Sequence, residues 1–199
     1  QPVISVSIAR YHACLLFSIM CDRGMFSQQV QAFQNMSTES GLHYHHPRIE
    51  QLQTWQQVID SGDIGALERL EQITQAVLEI SRDNRPLALA MLAVACLTLC
   101  KIDQALGYID DAFIHGEESG TCLWRSELHR LKGECLLLRD GVTLDGLTEA
   151  EQCLTAARSV AQEQGARSLE LRAAISLARY WAGIDRRDEA RTELAAVFD

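Results

Sequence analysis

One pattern of apolar positions recurs along this chain and predicts its architecture. An alanine is followed four positions later by a large apolar residue and seven positions later by a small or β-branched one. Offsets of four and seven lie on one stripe of an α-helix, so each copy predicts a helix with one packed face. The copies recur about every 40 residues, a spacing typical of helical-hairpin repeats. They are Ala66/Leu70/Ile73, Ala105/Ile109/Ala112, Ala150/Leu154/Ala157 and Ala190/Leu194/Val197, with Gln29/Phe33/Met36 as a weaker copy.

These copies predict an all-α fold, a right-handed superhelical array of about five helical hairpins in a single domain over residues 1–199. Short connections require the two helices of each hairpin to lie antiparallel. The prolines at positions 2, 47 and 86 fall where a helix can begin, so they do not oppose this interpretation. The predicted hairpins cover residues 3–40, 46–81, 85–116, 121–164 and 167–198.

Three local features refine the expected boundaries. Residues 140–146 make the fourth hairpin longer than the others, and we expect them to form a surface loop. Apolar residues alternate with serines in Ile4, Val6 and Ile8, as in a strand, but a lone strand would have no partner, so a helix is favoured there. Glycines are expected just beyond helix C-termini at Gly41, Gly116, Gly120 and Gly165.

The fifth hairpin carries residues at the spacing of a known repeat. Its first helix has a leucine, a small residue and an aromatic residue at fixed distances before Ala190. This resembles the tetratricopeptide repeat in its longer, roughly 40-residue form. Small residues at these positions let the two helices of a hairpin approach closely. The residues are Leu177, Ala178 and Trp181, with Leu92, Ala93 and Cys96 at the same count in the third hairpin.

A second likeness lies in residues 127–134 and 168–179. These strings resemble the C-terminal repeat region of large bacterial signalling proteins, which join a predicted ATPase to an adenylate cyclase or a DNA-binding regulatory domain. The resemblance covers residues 117–199 and fades toward the N-terminus, where Gln53 and Thr54 replace the expected apolar and small residues. It implies a cytoplasmic regulatory scaffold within a larger protein.

Charge and composition exclude several classes of function. The net charge is -9, and Lys101 and Lys132 are the only lysines, which argues against direct nucleic-acid binding. The sequence contains no apolar run of about eighteen residues, so it predicts no membrane span. It also contains no recognisable signal peptide or phosphate-binding loop. We therefore expect a fragment of a cytoplasmic protein with no cofactor and no catalytic residues.

The cysteines and histidines raise the question of a metal site. The seven cysteines fall mostly in apolar helical stretches and are expected to be reduced core residues. Cys96 and Cys100 are four residues apart and would share a helix face. We favour core packing over metal binding as the role of these two cysteines. The tract from His43 to His46 is the densest cluster of potential ligands, but it lies in a predicted link between hairpins. We predict no metal site, but the sequence does not decide whether the tract from His43 to His46 binds a metal ion.

The groove lined by the first helices of the hairpins is the predicted binding surface. Its residues change along the array from apolar to alternately charged and then to basic, which suits a peptide segment or a small ligand with an acidic end. The alternative is that the glutamates only pair with the arginines and tie neighbouring helices together. The predicted groove residues are Leu87, Ala90, Val94, Glu127, Arg130, Glu134, Arg172, Ile175 and Arg179.

The sequence thus favours a noncatalytic protein-interaction and regulatory module of a bacterial signal-transduction or transcription-regulating ATPase. The expected partner is a protein or peptide segment, including another domain of the same parent chain, and a homo-oligomer is a further possibility. A small-molecule inducer-sensing domain that uses the same groove is the alternative. No direct nucleic-acid or membrane partner is expected.

Overall fold

The computed structural model describes residues 2–20, 22–80, 84–120, 123–139 and 143–198. The described residues form ten α-helices and one short 3-10 turn, and they contain no β-strand. The expected all-α class is therefore confirmed, and each predicted helix is present. The helices are α1 Pro2–Ile19, α2 Arg23–Glu39, α3 His46–Ser61, α4 Ile64–Ile80, α5 Arg85–Thr98, α6 Ile102–Ser119, α7 Arg125–Leu138, α8 Leu144–Glu163, α9 Arg167–Gly183 and α10 Arg187–Phe198, and the 3-10 turn is His43–His45.

The chain divides into two compact units, residues 1–83 and residues 84–199. The first unit holds α1 to α4 with the 3-10 turn, and the second holds α5 to α10. Residues 4–8 are helical, as favoured over the strand.

Large side chains fill the first unit. Its helices pack in chain order, α1 on α2, α2 on α3 and α3 on α4. The ring centroids of Phe26 and Trp55 lie 5.1 Å apart, and Phe33 is fully buried. A neutral polar pair lies inside, where the Gln51 amide donates to the Thr74 hydroxyl at 2.9 Å. Aromatic packing and a buried amide–hydroxyl bond therefore characterise this interior.

Small residues fill the second unit. Each hairpin packs internally, and α7 also packs against both α5 and α6, while α9 packs against both α7 and α8. A Cβ atom added at Gly133 would lie 2.8 Å from the Leu154 side chain and 3.1 Å from the Ala150 carbonyl oxygen. Only glycine therefore allows α7 and α8 to approach this closely. Fully buried alanines extend this packing at positions 93, 105, 112, 150, 157, 173 and 174.

The helix ends correct two boundary predictions. Gly116 does not end α6, because the helix continues to Ser119 and Gly120 supplies the left-handed residue, with φ 65°. Thr143 caps α8 by accepting from the Gly146 N–H at 3.2 Å. Residues 144–146 of the expected loop are consequently helical, and residues 140–142 lie outside the described residues.

Candidate functional site

The centre of the predicted groove is an ion network between α7 and α9. Glu127 is buried and accepts hydrogen bonds from two arginines. Arg130, one turn along α7, reaches it with Nη2–Oε1 2.6 Å and Nε–Oε2 2.9 Å. Arg172, on α9, reaches it with Nη2–Oε1 2.9 Å and Nε–Oε2 3.3 Å. Both guanidinium groups thus bind one carboxylate in the bidentate fork geometry.

Glu134 completes the network. Its Oε1 lies 2.6 Å from Arg130 Nη1, and the Ser176 hydroxyl donates to the same oxygen at 2.8 Å. Ser176 also accepts from Arg130 Nη1 at 3.5 Å. Two carboxylates therefore balance two guanidinium groups, so the network has no net charge.

The network favours its charged form at neutral pH. Burial opposes ionisation of Glu127, but the charges and hydrogen bonds of Arg130 and Arg172 outweigh burial and lower the pKa of this carboxyl. Burial likewise disfavours the Arg130 cation, yet Glu127 and Glu134 raise its pKa. Leaving one partner of a buried ion pair unpaired is costly. The alternative of structural ties thus describes Glu127, Arg130, Glu134 and Arg172.

The apolar end of the predicted groove differs from expectation. Leu87 is 2% exposed and Ala90 is 5% exposed, while Val94 is partly exposed. The expected exposed apolar strip is therefore wrong for Leu87 and Ala90. The physical reason is that α5 is apolar on almost every side, and such a helix is buried all round.

A second polar cluster joins α8 to α9 and to Arg186, the residue before α10. Glu151 Oε1 accepts from the Trp181 indole N–H at 2.6 Å and lies 2.7 Å from Arg186 Nη1. The Arg186 guanidinium lies over the Trp181 ring, 4.9 Å from its centroid. Trp181 thus contacts the preceding hairpin through its polar edge.

The remaining predicted residues, Ile175 and Arg179, lie in an open groove between α9 and α10 that we call the α9–α10 groove. Its volume is about 380 Å³. Arg179, Arg187 and Arg191 are all exposed and line it, so its edge is basic. The other lining residues are Ala178, Ala182, Ala190 and Leu194.

Sequence reasoning missed the contribution of α10 because it counted groove residues only on first helices. The signal was present in Arg187 and Arg191, which are four residues apart and therefore share a helix face.

Comparison with known proteins gives no relative. No family model, no curated protein and no solved structure matches this chain.

The histidine tract folds into the 3-10 turn and the start of α3. His45 is buried, with its ring centroid 4.9 Å from that of Phe33, and burial followed by the nearby charge of Arg48 lowers its pKa. The rings of His43 and His46 are 5.1 Å apart. The part of the chain that the structure describes holds no cluster of three or more His, Cys, Asp or Glu side chains able to bind a metal ion.

Five of the seven cysteines lie in the described residues and are free thiols. Burial raises the pKa of Cys14 and of Cys135 to about 12, and Cys100 is exposed. Cys21 and Cys122 lie outside the described residues. In the described ranges, none of the helices combines the length and apolar character that crossing a membrane requires.

Proposed function

We propose that this chain is a noncatalytic protein-interaction and regulatory module, built as a right-handed, tetratricopeptide-like array of helical hairpins. The repeating alanine pattern supports the array. So does the packing of the second unit, where α7 and α9 each contact both helices of the preceding hairpin. Arrays of this kind present extended surfaces to other molecules.

The α9–α10 groove carries this proposal. It combines an apolar floor of alanines and Leu194 with an edge of three arginines. Apolar grooves with a charged edge commonly bind protein segments, because the floor removes apolar surface from water and the edge selects the partner. The other charged groups of the predicted site are held in the Glu127 network and serve the fold.

The setting of the module follows from the sequence resemblance. A repeat region of this type in bacterial signalling proteins stands beside an ATPase and an output domain, so the proposed parent is a cytoplasmic signal-transduction or transcription-regulating ATPase. In that parent, the groove would bind a regulatory protein or another domain of the same chain.

A random-peptide display selection tests the proposal. We expect the chain to enrich peptides with a common sequence, and we expect Arg179→Glu to abolish their binding because it reverses a charge at the groove edge. Arg125→Glu is the matched control, since Arg125 is an exposed arginine of α7 outside the α9–α10 groove. Selection that enriches no common sequence, or one that Arg179→Glu binds equally well, contradicts the proposal.

The size of the groove favours one second candidate, a domain that senses a small-molecule inducer. Its volume of about 380 Å³ falls within the range of small-ligand sites, roughly 300–1,000 Å³. Thermal-shift measurements with a panel of small carboxylates test this candidate, because a ligand at 100 times its Kd adds about 2.7 kcal/mol of stability. A stabilising carboxylate together with failed peptide selection would favour the sensor.

A further inference from the structure

The second unit shows how one of its own grooves holds a helix. Helix α9 packs against both α7 and α8, and acceptors on each of these helices receive donors from α9. Glu134 of α7 accepts from the Ser176 hydroxyl at 2.8 Å. Glu151 of α8 accepts from the Trp181 indole N–H at 2.6 Å. Two of the acceptors that face α9 are therefore glutamates, one on each of the two neighbouring helices.

The repeat relates this filled groove to the open α9–α10 groove. The alanine pattern aligns Ala150 and Leu154 of α8 with Ala190 and Leu194 of α10. In this register Glu151 corresponds to Arg191. The predicted groove positions align α7 with α9 in the same way, so that Glu134 corresponds to Arg179.

Gly133 and Ala178 support the register. Gly133 immediately precedes Glu134 and lies against Ala150 and Leu154. Its counterpart Ala178 immediately precedes Arg179 and lines the open groove together with Ala190 and Leu194. The two grooves thus share a floor of small residues, on which a helix can pack closely.

The positions of Glu134 and Glu151 are therefore occupied by donors in the open groove. Where the filled groove presents two carboxylates, the open groove presents the guanidinium groups of Arg179 and Arg191. A guanidinium group binds carboxylates through paired N–H donors. A helix in the open groove must consequently carry acceptors where α9 carries Ser176 and Trp181.

We propose that the α9–α10 groove binds an acidic amphipathic helix of a partner protein, with one carboxylate on Arg179 and a second, about five residues along the helix, on Arg191. This rests on the proposed function and specifies its partner. The apolar face of the partner helix lies on Ala178, Ala190 and Leu194.

Local acidic residues do not block this edge. Arg187 Nε lies 3.3 Å from Asp185, and Arg191 Nη1 lies 3.9 Å from Asp188, with all four side chains largely exposed. Exposed ion pairs are weak because water screens them. Both arginines can therefore exchange these aspartates for partner carboxylates that are shielded from water against the groove floor.

Two peptides based on α9 test the inference. Both have the sequence of residues 167–183; one carries Ser176→Glu and Trp181→Glu, and the other carries Ser176→Lys and Trp181→Lys. Each is labelled and titrated with the intact chain by fluorescence anisotropy. We expect the wild type to bind the glutamate peptide about tenfold more tightly than the lysine peptide. The variant Arg179→Glu with Arg191→Glu should reverse this preference.

Equal affinity of the wild type for both peptides, absent binding of the glutamate peptide, or a preference that the variant does not reverse overturns the inference. Display-selected peptides distinguish this failure from failure of the proposed function, because they should still bind the wild type if only the acidic-helix assignment is wrong. Sedimentation tests whether a second copy of the chain occupies the groove instead. The inference is also overturned if the chain forms a dimer that is lost in the double variant but is not dissociated by the glutamate peptide.

Discussion

The two units of this chain bury polar groups in different ways. The first unit buries a neutral pair, Gln51 with Thr74, joined by one hydrogen bond of 2.9 Å. The second unit buries Glu127 between two arginines, with four hydrogen bonds to its carboxylate. A neutral pair can be exchanged for apolar side chains at little cost, whereas a charged network loses much when one member is removed. We therefore expect the contact between α7 and α9 to depend on charge more than the interior of the first unit does.

The units also differ in the size of their packed residues. Phe26, Phe33 and Trp55 fill the first unit, whereas Gly133 and many alanines let the helices of the second unit approach closely. Close helix packing through small residues is therefore a feature of the second unit.

The largest expected effect comes from breaking the charged network. Glu127→Ala leaves Arg130 and Arg172 without their shared carboxylate, and we expect the free energy of unfolding to fall by about 3–5 kcal/mol. The matched change in the first unit, Gln51→Leu with Thr74→Val, removes both partners and should cost within about 1 kcal/mol. Urea unfolding at pH 7 measures both. Similar costs for the two variants would remove the proposed difference between the units.

A smaller effect tests the close packing of the second unit. Gly133→Ala should cost about 1–3 kcal/mol, because the new methyl group meets Leu154 and the Ala150 carbonyl. The control is Gly107→Ala in α6, where an added Cβ meets nothing within 4 Å. That change should stabilise by about 0.5–1 kcal/mol through helix propensity. Thermal melting gives the sign of each, and a stabilising Gly133→Ala would contradict the packing described for α7 and α8.

These residues show what the sequence could and could not predict. The ten helices were predictable because apolar residues recur with the helical period and few residues interrupt them. The partners of Glu127 could not be predicted from the sequence. The same spacing allows Arg130 and Arg172 either to pair with the glutamates of neighbouring helices or to contact a bound ligand. Only the relative placement of α7 and α9 decides between these two arrangements.

The α9–α10 groove was predictable only in part. Ile175 and Arg179 were identified because they lie on a first helix, whereas Arg187 and Arg191 belong to α10 and required the pairing of the two helices. Leu87 and Ala90 were misassigned because the count along a helix gives a face but not the burial of that face. The signal for burial was the apolar character of α5 on almost every side.

The pH dependence of stability gives the next effect. Because the folded-state pKa of Glu127 lies below its usual value of 4.5, its stabilisation is present above about pH 4.5 and is lost as the pH falls through the lowered pKa. Its contribution to the slope is at most about 1.4 kcal/mol per pH unit. We expect Glu127→Gln to flatten the profile of unfolding free energy below pH 4.5. An unchanged slope in this variant would show that Glu127 does not carry the acid sensitivity.

The central claim is that the α9–α10 groove binds a partner while the Glu127 network holds the fold, and Arg179→Glu tests it most directly. Affinity for a display-selected peptide and the free energy of unfolding are measured on the same protein, with Arg125→Glu as control. The account predicts that stability changes by no more than about 0.5 kcal/mol while affinity falls about tenfold or more. Lower stability with unchanged affinity per folded molecule would contradict it and make Arg179 a structural residue.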